Sequence, residues 1–521
     1  MTRQKSERRE VLQARRKLGV TEGLESPRGG KATPVEQQIG QLKLNVETAE
    51  NRTKVRVVDG TDAGRPAPVP IAAPKSTFKR HRVQSVTMEA VRRAIDEAFH
   101  NVASNKGASG PDGQSVEHVR EHWLELGPQL DTALQEGSYE PGNIRRVWIP
   151  KAGGGERGLG IPNVIDRVVA ESVRLVLEPL YEPTFHPSSH GFRPGRSCHT
   201  ALDEARGYLE EGYEWVVDLD LENFFNRVHH QRLMAKLAER VHDKRLLVLI
   251  GQMLKANVVM PNGVVVSTDE GVPQGGPLSP LLSNVVLDEL DRELDRRGHR
   301  FVRYADDSNI YVRSERAGQR VMASVVSFIE GRMRLKVNRT KSAVAKPEER
   351  HFLGFRLRCE PMTGDVQVLL SKRSSDRLDA KVRELTPRNW GGSLEAAILQ
   401  LNEYLVGWLG FFRICTAPVK SKLQAVDAHI RRRLRAMALK DCKRKRGMAR
   451  KLIGLGVKPK AAWRGVYDGR KSIWALSHTP AVERGFRNAY FAERGLVSLL
   501  ETWEVKPRYL VASAQLLLRL G

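Results

Sequence analysis

A chain of 521 residues with a formal charge of +25 is long enough for about three domains of ~150 residues each, and its basic excess far exceeds the ~2–8 usual for a small soluble domain. That imbalance points to a polyanionic partner, because lysines and arginines that neutralise phosphates release condensed counterions. Cys198, Cys359, Cys415 and Cys442 are widely spaced with no Cys-x-x-Cys pair, which excludes a zinc-finger spacing or a disulfide framework and fits a reducing compartment; no apolar run reaches the ~18 residues of a spanning helix, and the opening MTRQKSERRE has no apolar core of a secretory signal.

Residues 1–82 are rich in Arg, Lys, Gly, Pro and Gln, and DAGRPAPVPIAAPKS reads as an extended Pro/Ala linker. We expect a basic, mostly disordered arm with a short helix near residues 5–17. It either touches RNA or is a dispensable extension. Ordered sequence begins near Val83, with an amphipathic helix over 86–101 and then the Gly-rich loop NKGASGPDGQSV. IRRVWIPK, 144–151, has strand character, and GGGERG follows as a flexible loop between Lys151 and Arg157. A cation at each end suits a flap closing over phosphate, although such loops are often only turns. From Asn163, a candidate N-cap, the spacing of Ile165, Val169, Val173, Val176 and Leu180 predicts a helix.

EWVVDLDLENFF, residues 214–225, alternates as a strand, with Trp215, Val217, Leu219 and Leu221 on one face and Val216, Asp218 and Asp220 on the other. An inward carboxylate at the end of an apolar strand is costly unless it is solvated, paired or metal-bound. HHQRLMAKLAERV is then helical. In GVPQGGPLSPLLSNVVLDELDRELDRRG, Gly and Pro hold a loop, Ser279 caps a helix with Pro280 at its first position, and Gly298 ends it. FVRYADDSNIYV, 301–312, reads as a hairpin with Asp306 and Asp307 at its tip. The pair is either a solvated turn or a metal site, since carboxylate oxygens suit Mg²⁺ and a cation relieves their repulsion. A helix over ERAGQRVMASVVSFIEGRMRL, a basic strand in KVNRTKSAVAKP carrying Lys341, and a strand at HFLGFRL complete this part.

From about residue 394 the composition becomes helical. LEAAILQLNEYLVGWLGFFRI is one helix and VKSKLQAVDAHIRRRLRAMALKDCKRKRGMARK a second. The polar face of the second carries Arg431, Arg432 and Arg435, then Lys443, Arg444, Lys445 and Arg446. Opposite charges are scarce there, which favours a polyanion groove over ordinary solvation. Trp463, Trp474, Tyr490 and Phe491 read as core rather than as base-stacking platforms.

Two separated segments thus offer acids at strand or hairpin ends, Asp220 in one and Asp306 with Asp307 in the other. Such a set can hold two divalent ions about 4 Å apart for in-line phosphoryl displacement. With Lys151 and Arg157 placed to hold a triphosphate, this is the logic of a nucleotidyl polymerase.

These residues also carry a family likeness. YADD at 304–307, DLENFF from Asp220, PQGGPLSP at 273–280 and FLGF at 352–355 resemble a reverse transcriptase. GPDG (110–113), RRVWIPK (145–151), GLGIP (158–162), DRV (166–168), LEPLYEPTF (177–185) and GFRPGRS (191–197) resemble the bacterial group II intron reverse transcriptases, or maturases. A thumb-like region from LNEYLVGWLGFFR through IRRRLR to RNAYFAERGL extends the likeness over roughly residues 85–500. The resemblance implies an α+β right-hand polymerase: fingers 83–212, a palm with an antiparallel sheet 213–360, a reverse transcriptase core of roughly 133–358, a helical thumb or maturase domain 375–500, and a tail 501–521.

It further implies that Asp220, Asp306 and Asp307 are the catalytic acids, with the Leu221 carbonyl as an extra ligand, holding two Mg²⁺ ions with Mn²⁺ as a tolerated substitute. Phe225 would sit under the incoming sugar and exclude a 2′-hydroxyl, Lys151 and Arg157 would contact the triphosphate, Gln274 would line the nucleotide pocket and Lys341 would steady it. Implied partners are an RNA template, intron RNA, a DNA primer or target and dNTPs, with no membrane, in the bacterial cytoplasm. The expected activity is RNA-directed DNA synthesis, with assistance to splicing and retromobility. The sequence departs from the family pattern at Asn226, where an Asp is usual, at RGLGIP, and at His190, where Tyr is common. No His/Cys cluster follows the thumb-like region, so the endonuclease domain of some relatives is expected to be absent. Two other readings stay open: a related polymerase co-opted for defence or repair, and a non-catalytic RNA-binding splicing cofactor.

Overall fold

The computed structural model describes residues 86–150, 154–360, 362–387, 391–467 and 472–505. The arm 1–82, Lys151 and most of the tail 501–521 lie outside the described residues. In chain order the strands are β1 (Ile144–Pro150), β2 (Glu156–Ile161), β3 (Trp215–Leu219), β4 (Val258–Val259), β5 (Val265–Val266), β6 (Arg300–Tyr304), β7 (Asp307–Val312), β8 (Ala343–Ala345), β9 (Phe355–Cys359) and β10 (Val366–Leu370). They form three sheets, ordered β2-β1-β4-β5, β6-β7-β3-β8 and β10-β9.

The segment read as a flexible loop after Lys151 is shorter than expected. Gly154 and Gly155 take positive φ, and the chain re-enters the sheet at Glu156, so Arg157 lies on β2 opposite Ile149. Gly158 and Gly160 are strand residues. A Cβ on Gly158 would stand 2.9 Å from the Trp148 ring, and one on Gly160 2.9 Å from Ile144. Their glycines serve close cross-strand approach, which a composition-based reading takes for a loop. The helix expected over 86–101 is two, Met88–Arg93 and Ile95–Ser104, meeting at Ala94. Asn163 does precede the helix Val164–Tyr181 without a side-chain cap; its Oδ1 accepts the Asp112 N–H instead.

The sheet β6-β7-β3-β8 is antiparallel throughout and is covered on both faces. Val217, Leu219, Phe301, Ile310 and Val312 belong to one core, shared with the helices Val164–Tyr181, Ser279–Arg296 and Glu315–Phe328. Val216, Val302 and Tyr311 belong to a second, shared with the helix Cys198–Glu210 and the C-terminal helices. Successive residues alternate between the two cores with the period of two that a pleated strand imposes. Ser279 is the first helical residue rather than the cap; its hydroxyl donates to the Pro273 carbonyl at 2.6 Å.

The C-terminal helix expected to run unbroken through KRKR is two, Val419–Lys440 and Lys445–Gly454. Lys443 adopts φ +52° in the intervening turn. A helix cannot pass through a left-handed residue, so the basic run leaves the helix that carries Arg431. Phe355 of β9 ties this half to the sheet: it is fully buried, with ring centroids 5.5 Å from Phe411 and 5.1 Å from Phe412. Phe355→Ala is expected to lower the free energy of unfolding by about 3–5 kcal/mol, measured as a shift in the urea midpoint at unchanged slope.

Candidate active site

Strand pairing brings the two acidic segments together. Asp218 pairs with Asn309 and Leu219 with Ser308, so one further step of the same register sets Asp220 opposite Asp307. Tyr304 pairs with Asp307, leaving Ala305 and Asp306 as a two-residue turn. Ala305 has φ +57°, a left-handed value at the first turn position where glycine is usual, at a cost of about 1–2 kcal/mol. Asp218, Asp220 and Asp307 share the parity of Val216 and Tyr311, so three carboxylates project from one face, with Asp306 at its rim.

The electrostatics follow from that crowding. Burial pushes the Asp307 carboxyl up to about 7, with the charges of Asp306, Asp218 and Asp220 adding to the shift and Lys341 opposing it. Its side chain keeps an open path to solvent; the surrounding protein mass thins its water shell without sealing it. Burial also raises Asp306, with Asp220 adding and Arg157 and Arg303 opposing. Asp220 is anchored through its backbone: its N–H donates to Ser342 Oγ at 3.0 Å and its carbonyl accepts the Asn338 N–H at 2.8 Å. Lys341 Nζ stands 3.6 Å from Asp220 Oδ2. Lys341 lies in the turn before β8, not within a strand as expected, because only Ala343–Ala345 pairs with β3.

One carboxylate on this face was not singled out from sequence as a site residue. Asp218 is held by Arg350, at 2.6 Å from Nη2 and 2.8 Å from Nε, and Arg350 also donates to the Lys341 carbonyl. Burial raises Asp218 while Arg350 pulls it down. The available signal was parity, since Asp218 sits two residues before Asp220; nothing local marks Arg350 as its partner.

The other candidates surround this face. The bridge Leu221↔Val337 uses the Asp220 carbonyl and the Glu222 N–H, so the Leu221 carbonyl takes no part in it, while its side chain is in the core. Phe225 is half-buried and edge-on to Phe224 at 5.3 Å. Its carbonyl accepts the Val272 N–H at 2.6 Å, and two residues on, the Gln274 carbonyl accepts the Gly160 N–H at 2.7 Å. Backbone bonds thus link the Phe225 turn, the Gln274 loop and β2, where Arg157 is exposed. Among the described residues no three His, Cys, Asp or Glu side chains are grouped as a preformed metal centre, but hard oxygen donors that repel one another on a shared face suit a small divalent cation.

The basic surface divides. Arg435, expected on a polyanion face, is 8% exposed and is committed to Glu483 at 3.1 Å and to the Phe486 carbonyl at 3.3 Å. A buried guanidinium needs such partners, which corrects its placement. Arg432 stacks 4.1 Å above the Trp474 ring, and Arg431 is half-buried. Lys443, Arg444, Lys445 and Arg446 are exposed. Phe491 is fully buried, as expected of a core residue.

Comparison with known proteins assigns the chain to a family. Residues 149–357 match the model for reverse transcriptase (RNA-dependent DNA polymerase), and residues 375–453 match the group II intron maturase-specific domain. Protein YkfC of Escherichia coli (strain K12) is 31% identical over 361 residues, 60% of this chain and 91% of that protein. The chain belongs to the group II intron-encoded reverse transcriptases. The group II intron-encoded protein LtrA of Lactococcus lactis subsp. cremoris is 38% identical over 203 residues, 37% of this chain and 32% of LtrA, so the chain spans about a third of that relative. A chain of the partial Cas6-RT-Cas1–Cas2 complex is 23% identical, with a TM-score of 0.31, over 47% of this chain and 42% of that one. This reverse transcriptase is α+β, its class of activity is RNA-directed DNA polymerisation, and its partners are nucleic acids. No helix among the described residues is long and apolar enough to cross a membrane.

The raised Asp307 carboxyl gives a pH prediction. The folded state binds its proton more tightly than the unfolded chain, so metal-free stability falls as pH rises from the ordinary carboxylate range towards about 7 and levels above it. Thermal melts in chelator should show this slope in the wild type and lose most of it in Asp307→Asn. Added Mn²⁺ should raise the melting temperature more at pH 8 than at pH 6.

Proposed function

We propose that this reverse transcriptase extends a primer on an RNA template by two-metal phosphoryl transfer, with Asp220, Asp306, Asp307 and the Leu221 carbonyl as the ligands of two Mg²⁺ ions and Mn²⁺ as a substitute. The observation that supports the reading is the β3–β7 register, whose last pair, Leu219 with Ser308, leaves Asp220 and Asp307 as the next residues on the two segments, together with the Asp307 carboxyl, pushed up to about 7 by burial and its acidic neighbours. When bound, the ions would supply Lewis-acid activation of the primer 3′-hydroxyl and neutralise the departing pyrophosphate.

The chain's own residues orient and balance charge around that centre. Lys341 moderates the acidic face from 3.6 Å, and Arg350 removes Asp218 from the pool of free carboxylates. Arg157 on β2 meets the triphosphate, together with Lys151, which lies outside the described residues. Phe225 contacts the sugar of the incoming dNTP and disfavours a 2′-hydroxyl, and Gln274 lines the same pocket, aligned with β2 by its bond to Gly160. Holding primer and nucleotide in line supplies much of the rate without further covalent chemistry.

The domain reading is fingers, palm and thumb over 83–212, 213–360 and 375–500, with one refinement. The helix Cys198–Glu210 shares a core with Val216, Val302 and Tyr311, so we assign it to the palm. We further propose that the C-terminal domain binds intron RNA through Lys443, Arg444, Lys445 and Arg446, with Arg431 and Arg432 of the preceding helix as further contacts, and that the protein assists splicing and retromobility. A bacterial cytoplasmic setting accords with Cys198, Cys359, Cys415 and Cys442 all being unpaired thiols.

Asp306→Asn should reduce dNTP incorporation on an RNA template at least ~10²-fold with little change in RNA affinity; incorporation at the wild-type rate would contradict the assignment. Arg444→Ala should do the reverse, sparing incorporation at saturating RNA while lowering the slope of log affinity against log salt by about 1. An unchanged slope would remove that cluster from the RNA surface.

A further inference from the structure

The chemistry proposed above makes no use of the most deeply buried ion pair on the palm sheet, yet that pair touches the catalytic turn. Arg303 and Asp291 are both 0% exposed. Arg303 Nε and Nη2 meet the two Asp291 oxygens at 2.7 and 2.6 Å. Nη2 also donates to Ser189 Oγ at 2.6 Å, and Nη1 donates to Asn284 Oδ1 at 3.0 Å and to the Ala305 carbonyl at 2.9 Å. All five N–H groups of the guanidinium are engaged. The Ala305 carbonyl belongs to the peptide that leads into Asp306, and Ala305 is the residue held at φ +57°.

A second jaw closes from the 188–191 segment. The His190 N–H donates to the Arg303 carbonyl at 2.8 Å and the Arg303 N–H to the Ser188 carbonyl at 2.9 Å. Gly191 lies so close that a Cβ there would stand 2.2 Å from the Ala305 nitrogen, and its carbonyl accepts from Asn284 Nδ2 at 2.9 Å. Two elements distant in sequence, the 188–191 segment and the helix Ser279–Arg296, therefore grip one turn through one arginine. Stability alone does not call for this arrangement, because well-packed apolar residues replace buried ion pairs at little or no cost.

We propose that Arg303 is a positioning residue: with Asp291, Asn284 and Ser189 it locks the left-handed Ala305 turn and so fixes how far the Asp306 and Asp307 carboxylates stand from Asp220. The inference rests on the reading that these three aspartates share divalent cations. Loosening the clamp lets the turn relax, spreads the carboxylates and weakens the cation site before it weakens RNA or nucleotide binding.

The test uses the full chain with a template–primer and Mn²⁺ as the probe, free ion being followed by its paramagnetic resonance signal. Arg303→Lys keeps the charge and loses the fork; Asn284→Ala leaves the Arg303–Asp291 pair intact and decides the matter should Arg303→Lys not fold. We expect the Mn²⁺ concentration for half-saturation to rise about tenfold in Arg303→Lys and by a smaller factor in Asn284→Ala. The metal dependence of dNTP incorporation should shift by the same factors, with RNA affinity and the KM for dNTP unchanged. Variants that melt earlier but bind Mn²⁺ as the wild type does would overturn the clamp and leave the three-aspartate site standing. A wild type with no Mn²⁺ binding removable by Asp306→Asn would overturn both.

Discussion

The site depends on the register between β3 and β7. β3 lies inside its sheet with a neighbour on each side, and its alternate residues enter two different cores, Val217 and Leu219 in one and Val216 in the other. Because the side-chain period is two, a slip of one residue would drive Asp218 and Asp220 into the core beneath the helix Ser279–Arg296 and lift Val217 onto the acidic face. The cost of burying unpaired carboxylates makes that alternative prohibitive. Hydrophobic burial on both faces therefore fixes the position of Asp220 relative to Asp306 and Asp307, two segments more than eighty residues apart in the chain.

Given that register, charge balance decides what the face can do. Four acids gather there, and the nearby cations are unequal to them. Arg350 holds Asp218 Oδ2 through both Nε and Nη2 and is tied to the Lys341 carbonyl, which makes it a fixed counter-ion. Lys341 is mostly exposed and stands off Asp220 at 3.6 Å, a distance at which solvent screens much of the attraction. Asp220, Asp306 and Asp307 keep more negative charge than Lys341 cancels, and this repulsion adds to the burial that chiefly raises the Asp306 and Asp307 carboxyls. Chain geometry assembles this repulsion and the turn at Ala305 sustains it.

Much of this was legible from residues alone because it rests on local rules. The apolar flanks and Asp-Asp tip of 301–312 specify a hairpin, and it forms, although its turn is Ala305–Asp306 and Asp307, expected at the tip, opens β7; Gly298 ends its helix with the positive φ that glycine permits. The misreadings came where distant residues override local signals. Gly158 looks like a loop residue until Trp148 is set against it. The basic run after Met437 looks like one helix, since a left-handed turn at a lysine leaves no sequence mark. Arg435 has the same local character as Arg431, and only the fold brings Glu483 to it. Arg303 sits one residue before the YADD motif, and its partners arrive from 189, 284 and 291.

The most direct measurement is an anomalous difference map from crystals of the full chain grown with Mn²⁺, an RNA template–primer and an unreactive dNTP analogue. Shared coordination predicts manganese peaks within bonding distance of both Asp220 and the 306–307 turn. Manganese bound by one segment alone, with the other carboxylates turned elsewhere, would contradict the account.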